Sequence, residues 1–287
     1  MTVQPARTLD DLLKGGETII VPGAYDALSA RIAARAGAQI VYMTGFGVAG
    51  ASFGAPDIGL IGPDQMCERV RAIASAIAPL PLIADGDNGH GGPANVARLV
   101  RDYEQAGAQC IQLEDQAMPK RCGHMEGKEI VPLADAAAKI RAAVRARSSA
   151  GFKIMARTDA IATDGVDEAL RRGEAFLDAG ADILFVEAAR SEEELVRVAR
   201  TFAGRPLVAN IVEDGKTPPL SAEVLREMGY RIVLRPVAAL LAIAYRLETV
   251  YREILAGRTS ERMSFAQYND IVGLPEVLAF VSQCDRD

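Results

Sequence analysis

One pattern recurs eight times along this chain: a short apolar run rich in β-branched residues, a polar turn, then a stretch with helical spacing. The runs are Thr18–Pro22, Gln39–Thr44, Leu80–Asp85, Gln109–Glu114, Lys153–Arg157, Asp182–Glu187, Pro206–Asn210 and Arg231–Arg235, at a period of roughly 25–40 residues. Their hydrophobicity is nearly continuous, as in parallel strands covered on both faces. Helical spacing fills Asp26–Ala36, Asp64–Ala78, Pro93–Ala106, Pro132–Arg147, Val166–Ala179, Ser191–Phe202 and Ser221–Met228. Four of these stretches end alike, in RAGAQ (35–39), QAGAQ (105–109), DAGAD (178–182) and EMGYR (227–231). Each puts Gly where a left-handed cap carries no Cβ penalty, with a strand directly after. Ser191 with Glu194 spells a capping box, and Ser221 is a plain N-cap candidate.

Eight strand–helix units in about 250 residues predict an α/β fold, a (β/α)₈ TIM barrel. The alternative, a doubly wound sheet, wants a GxGxxG turn after the first strand, and Pro22-Gly23-Ala24-Tyr25 is not one. We expect residues 1–287 to form a single barrel domain, with 257–287 as a C-terminal helical extension outside it. The extension follows a long helix, Val237–Ala256. Its segment Tyr268–Cys284 carries Leu274, Val277, Leu278, Phe280 and Val281 at near-helical spacing. Such a stripe needs an apolar surface to cover, either the barrel's own flank or a neighbouring subunit.

Net charge is −6 and no stripe of Lys and Arg interleaves with aromatics, so no nucleic-acid partner is expected. Apolar runs such as Val237–Tyr245 are too short to span a bilayer, so no membrane partner is expected either. The N-terminal stretch has no apolar signal-peptide core, and Cys67, Cys110, Cys122 and Cys284 form no CxxC pair. Reduced thiols in the cytoplasm are the expectation. Two histidines, His90 and His124, argue against a His-rich zinc site.

Barrel enzymes carry their chemistry at the C-terminal ends of the strands. Those ends read Thr44, Asp85, Glu114, Arg157, Glu187, Asn210 and Arg235. Asp85 and Asp87 lie two apart, Glu114 follows on the next strand, and Asp57 sits in the loop after the second. Oxygen donors without thiolate or imidazole suit Mg²⁺ first and Mn²⁺ second. Arg157 offers a fork for a substrate carboxylate, and Thr44 and Asn210 are neutral donors. Gly45 leaves its backbone N–H free to meet an oxyanion. After the fourth strand, a loop with Lys120, Arg121, Cys122 and His124 is flanked by Gly123 and Gly127, which suits a lid bearing a thiol. No GxxxxGK[ST] phosphate loop occurs. The expected ligand is a small polyanionic acid.

These residues fall into motifs: YMTGFGVA at 42–49, ADGDNGHGG at 84–92, IQLEDQ at 111–116, KRCGHMEGK at 120–128, ARTDA at 156–160, FVEA at 185–188 and NIVEDGKTP at 210–218. In that order, over nearly the whole chain, the sequence resembles the isocitrate lyase / phosphoenolpyruvate mutase superfamily. The resemblance implies a Mg²⁺-dependent site for a dicarboxylic or 2-oxo acid, and a homotetramer, a dimer of dimers that exchanges its last helix. It implies Asp85 as direct metal ligand, with Asp57, Asp87 and Glu114 around the ion. Substrate-binding roles fall to Tyr42, Thr44, Gly45, Phe46, Asp85, Gly123, Arg157 and Asn210, and to Arg235 at the last strand end. Catalytic roles fall to Lys120, Cys122, His124, Arg157 and Glu187. The thiol in KRCGH resembles the lyase branches, where it donates a proton during retro-aldol cleavage of a 2-methylisocitrate or 2,3-dimethylmalate type of acid. Lys120, Arg121 and His124 around it would lower its pKa. The rivals are phosphonopyruvate or carboxyphosphonoenolpyruvate mutase chemistry, oxaloacetate hydrolysis, and a non-catalytic acid-binding barrel. Three departures stand out: Asp87-Asn88-Gly89-His90-Gly91 where the family has DTG(Y/F)G, Met125-Glu126-Gly127 where methylisocitrate lyases carry Arg-Pro, and Arg235-Pro236 where an aromatic usually precedes Pro. Arg235 is expected either to read another carboxylate or to pair with Glu187.

Overall fold

The computed structural model describes residues 7–285 apart from 124 and 126. Eight parallel strands close into a barrel in chain order: β1 (Ile19–Ala24), β2 (Val41–Met43), β3 (Leu82–Asp85), β4 (Cys110–Glu114), β5 (Lys153–Thr158), β6 (Ile183–Val186), β7 (Leu207–Asn210) and β8 (Ile232–Arg235). The β1–β8 pairing closes it, with Ile19 opposite Ile232. The eight apolar runs are these eight strands, trimmed or extended by a residue or two at their ends.

The helices in chain order are α1 (Leu9–Lys14), α2 (Ala27–Arg35), α3 (Gly45–Phe53), α4 (Pro63–Ile77), α5 (Pro93–Gln105), α6 (Leu133–Ala146) and α7 (Ala160–Thr163). There follow α8 (Val166–Asp178), α9 (Glu192–Thr201), α10 (Ala222–Met228), α11 (Ala238–Leu255), α12 (Phe265–Ile271) and α13 (Leu274–Cys284). The caps behave largely as expected. Ser221 Oγ accepts from Val224 N at 3.2 Å. Ser191 Oγ accepts from Glu194 N at 3.2 Å, but the Glu194 carboxylate accepts from Arg190 N at 2.6 Å, so the capping box closes on one side only.

Three helices are absent from the sequence expectation: α1, α3 and α7. The sequence of α3, GFGVAGASF, has three glycines and low intrinsic helicity. Thr44 caps it, accepting from Gly47 N at 3.3 Å, and Gly54 ends it at φ 59°. Gly47 is required there: a Cβ would lie 2.7 Å from Thr44 Cγ2 and 2.9 Å from Tyr25 Cβ. Tertiary packing overrides propensity, and the helix delivers Phe46 to the barrel mouth.

Period 2 along the strands separates two cores. Ile19, Val21, Ile40, Tyr42, Ile83, Cys110, Met155, Ile183, Phe185, Val208, Ile232 and Leu234 point inward and form one cluster with Leu9, Leu12 and Leu13 of α1. Helix α1 covers the end where strands begin: Leu9 N donates to Gln109 Oε1 at 3.4 Å, and Lys153 pairs with Asp10 at 2.8 Å. The intervening strand residues, among them Val41, Leu82, Ala84, Ile111, Ile154 and Val233, pack against the helices in the larger cluster. The N-terminal end is plugged and apolar, so only the other mouth is open to chemistry.

The segment expected at Tyr268–Cys284 starts earlier and breaks in two at Gly273, whose φ is 83°. Arg35 holds α12 to α2 through Asp270 at 2.8 Å. Helix α13 lies outside the barrel with Val277 58% and Phe280 66% exposed, so the barrel's own flank does not cover its stripe. No helix among the described residues is long and apolar enough to cross a membrane.

Candidate active site

The inward phase of each strand, continued to its C-terminal end, decides what faces the open mouth. From Ile83 it reaches Asp85, from Cys110 and Gln112 it reaches Glu114, and from Met155 it reaches Arg157. From Phe185 it reaches Glu187, from Val208 it reaches Asn210, and from Tyr42 it reaches Thr44. All six line one cavity of about 240 Å³, together with Tyr42, Phe46, Asp57, Lys120, Cys122 and Gly123. Twelve residues singled out from sequence therefore share one space.

Asp85 is held by three donors. Its Oδ2 accepts from Gly45 N at 3.1 Å, and its Oδ1 accepts from Asp87 N at 3.0 Å and Gln112 Nε2 at 3.2 Å. Tyr42 OH donates to Gln112 Oε1 at 2.8 Å and so fixes the amide that holds the acid. Burial and the nearby Asp85 carboxylate push the Tyr42 phenol well up, so it stays a donor. Asp87 takes φ 49°, a left-handed conformation open to Asp, which turns its side chain back toward Asp85. Lys120 enters this group from the loop: its ammonium pairs with Asp57, and with Asp87 Oδ1 at 2.7 Å. Desolvation alone would lower the Lys120 pKa, but Asp87, Glu114, Asp57 and Asp85 outweigh it and raise it well above the usual value.

Arg157 is gripped from one side. Its Nε and Nη2 donate to the Asp159 carboxylate at 2.9 and 3.0 Å. Nη1 faces Glu114 at 3.5 Å, Nη2 lies 3.5 Å from Glu187, and the guanidinium sits 5.2 Å over the Phe185 ring. Glu187 is fully buried and accepts from Ala188 N at 2.7 Å and from Asn210 Nδ2 at 2.9 Å.

Several expectations need correction. The Gly45 N–H is not free for an oxyanion, because it donates to Asp85. The Nε edge of the Arg157 fork is taken by Asp159. Arg235 does not line the cavity: Leu234 holds the inward phase on β8, so Arg235 turns outward and donates to Glu213 rather than Glu187. We expect Arg235→Ala to leave the KM of any acid substrate within about twofold. A tenfold rise in steady-state assays would restore it to the site. Gly45 and Asp87 support the cavity from behind without lining it. His124 lies outside the described residues. His90 lies beside the acids, with Nε2 at 3.8 Å from Asp87 Oδ2, and burial lowers its pKa.

Other residues at the site escaped the sequence reading. Gln112 and Asp159 share the inward phase of Glu114 and Arg157, two residues away, and that spacing was the available signal. Lys128 and Glu213 lie within the motifs KRCGHMEGK and NIVEDGKTP, but strand phase did not single them out.

Charge then bears on a metal. Among the described residues, Asp57, Asp87, Glu114, Asp159 and Glu187 pair with Lys120, Lys128 and Arg157, and Asp85 adds a sixth carboxylate to the group. Burial, then Asp159 and Asp85, push the Glu114 carboxyl well up against the opposing Arg157 and Lys120. Burial with Asp85 and Asp57 raises Asp87 to about 6. Glu114 Oε1 is buried without a hydrogen-bond partner. An anionic substrate cannot enter so acidic a cavity unless its charge is offset, and an all-oxygen donor set suits a hard divalent cation. Among the described residues no three His, Cys, Asp or Glu side chains converge enough to hold an ion by themselves. The oxygen-only set of Asp57, Asp85, Asp87 and Glu114 fits a hard ion such as Mg²⁺.

The chain is similar to known proteins in sequence and in fold. The family described as phosphoenolpyruvate phosphomutase matches residues 9–255. A 2,3-dimethylmalate lyase of Eubacterium barkeri is 43% identical over 277 residues, covering 95% of each chain. The structure of an oxaloacetate acetylhydrolase in complex with 3,3-difluorooxalacetate superposes with a TM-score of 0.93 at 35% identity, covering 98% of this chain and 97% of that one. A phosphonopyruvate hydrolase solved with oxalate and Mg²⁺ superposes with a TM-score of 0.81 at 31% identity, covering 93% and 94%.

Proposed function

This chain belongs to the isocitrate lyase / phosphoenolpyruvate mutase superfamily, and from that premise we propose that it is a Mg²⁺-dependent carbon–carbon lyase. Its substrate is a 2-hydroxy di- or tricarboxylic acid of the 2,3-dimethylmalate or 2-methylisocitrate type, and its products are a 2-oxo acid such as pyruvate and a second carboxylate. One observation carries this: the Cys122 thiol lines the same cavity as Asp85, Glu114 and Arg157. The 43% identity to a 2,3-dimethylmalate lyase supports it.

The roles follow from the chemistry each group can perform. Arg157 and Thr44 bind and orient the 2-hydroxy acid half, and Glu187 with Asn210 fixes the Arg157 edge that faces the cavity. The substrate hydroxyl passes its proton to a carboxylate lining the cavity and becomes the carbonyl of the 2-oxo acid as the C2–C3 bond breaks. The electron pair of that bond is left on the carbon next to the departing carboxylate. Cys122 Sγ–H delivers a proton to that carbon. Asp85, Asp57, Asp87 and Glu114 would hold the divalent ion, which when bound would supply positive charge to the reacting oxygen. The apolar face of α13 supports assembly through that helix as a dimer of dimers, and the acidic, thiol-bearing chain suits a cytoplasmic setting.

A second possibility is oxaloacetate hydrolysis, favoured by the 0.93 superposition on an oxaloacetate acetylhydrolase. Purified protein is assayed with Mg²⁺ on 2,3-dimethylmalate, 2-methylisocitrate, oxaloacetate and phosphonopyruvate. Pyruvate from a 2-hydroxy acid, lost with EDTA and restored by Mg²⁺, is the expected result. Oxalate and acetate from oxaloacetate at a far higher kcat/KM would replace the lyase proposal.

A further inference from the structure

Lys128 has no part in the chemistry above, yet its side chain is 1% exposed. Its ammonium donates to the Gly123 carbonyl and to Asp159 Oδ1 at 2.7 Å. A desolvated ammonium is expensive and persists only where pairing and hydrogen bonds hold it. Asp159 already receives two bonds from Arg157, so Lys128 is not its sole partner. What Lys128 adds is the link to Gly123, the residue directly after Cys122.

Gly123 is wedged against the site. A Cβ there would collide with Arg157 Nη2 and lie 2.8 Å from Glu187 Cγ. Nothing in that contact holds the backbone inward, because a glycine has no side chain to grip. The Gly123 carbonyl, by contrast, is tied by Lys128 to a carboxylate that also orients Arg157. Gly127, at φ 73°, turns the chain just before Lys128.

We propose that Lys128 is a positioning residue: it clamps the Gly123 backbone to Asp159 and thereby sets the Cys122 thiol against the carbon that receives its proton. One carboxylate then anchors both halves of the site, Arg157 on the barrel and the thiol loop above it. The function of the clamp rests on the lyase proposal for Cys122, but its existence does not. A displacement of the loop by about 1 Å costs about 100-fold in rate.

The test is Lys128→Met, which keeps the apolar stem and leaves Asp159 paired with Arg157, so no buried carboxylate is orphaned. The expected result is a kcat about 100-fold lower, with KM and the calorimetric Kd for oxalate in Mg²⁺ changed by less than about threefold. Lys128→Arg regains part of the loss. Independently of turnover, trypsin cleavage after Arg121 is counted by mass spectrometry. Mg²⁺ and oxalate slow it in the parent and no longer do so in Lys128→Met. Should that variant misfold, Lys128→Gln is read in the same way. Parent-like kcat or parent-like protection overturns the clamp, as does a loss of oxalate binding equal to the loss of kcat. So does a parent that oxalate and Mg²⁺ do not protect. If the parent cleaves no 2-hydroxy acid, the lyase proposal falls and the cleavage readout alone decides the clamp.

Discussion

Cys122→Ser lowers turnover of a 2-hydroxy acid by about 1,000-fold while the protein still binds Mg²⁺ and oxalate. Serine nearly matches cysteine in size, so the loop keeps its packing. What changes is acidity: an alkanol holds its proton several orders of magnitude more tightly than a thiol and is a poor donor to a carbanion. The acids that would hold the metal lie on or just after β3, on β4 and in the loop before α4, where Gly45, Gln112 and Lys120 bond to them. Oxalate affinity by calorimetry therefore stays near the parent value while pyruvate release collapses. Full turnover in the variant would remove Cys122 from the chemistry. Loss of oxalate binding together with turnover would make it a structural residue.

The fold was legible because every unit repeats one physical problem, a strand buried on both faces with a helix that must stop and turn back. The Gly at each of four helix ends marks that stop, and the positive φ values of Gly37, Gly107, Gly180 and Gly229 meet it. The site was legible to the extent that strand ends are polar, and it failed where polarity was read without phase. Thr44, Asp85, Glu114, Arg157, Glu187 and Asn210 stand on the inward phase, whereas Arg235 stands one residue off it and faces out. Counting by twos from Ile232 and Leu234 corrects this with no structure at all. The same count finds Gln112 and Asp159. Helix α3 and Lys128 were hidden for a different reason: three glycines mask a helix that packing enforces, and a lysine on a loop looks solvated until the backbone carbonyl that holds it is known.

Phase also separates two neighbours that the sequence presents as a pair, and the second prediction follows from it. Glu114 points into the cavity, while Asp115, the next residue, points behind the strand. There Asp115 accepts from Thr158 Oγ1 at 2.7 Å, Asp159 N at 2.9 Å and Arg172 Nη1 at 2.9 Å, joining β4, β5 and α8. Asp115→Asn turns an amide donor toward those donors and takes the charge away from a guanidinium whose side chain is 5% exposed. Breaking one half of a buried pair costs about 3 kcal/mol, roughly 6–12 °C in Tm for a chain of this size. The KM for substrate holds. Glu114→Gln does the reverse: activity falls about 100-fold or more, and Tm measured in EDTA does not fall. Its pH dependence has a definite sign. The folded chain keeps the Glu114 proton to a pH well above the usual 4.5, whereas the unfolded chain loses it there. Above that pH the folded state binds the extra proton, so parental stability declines as pH rises. Glutamine removes that decline, so the Tm advantage of Glu114→Gln in EDTA is absent at pH 4 and grows toward pH 8. An advantage that shrinks with rising pH, or a drop in Tm as large as that of Asp115→Asn, would mean that Glu114 is scaffolding like its neighbour.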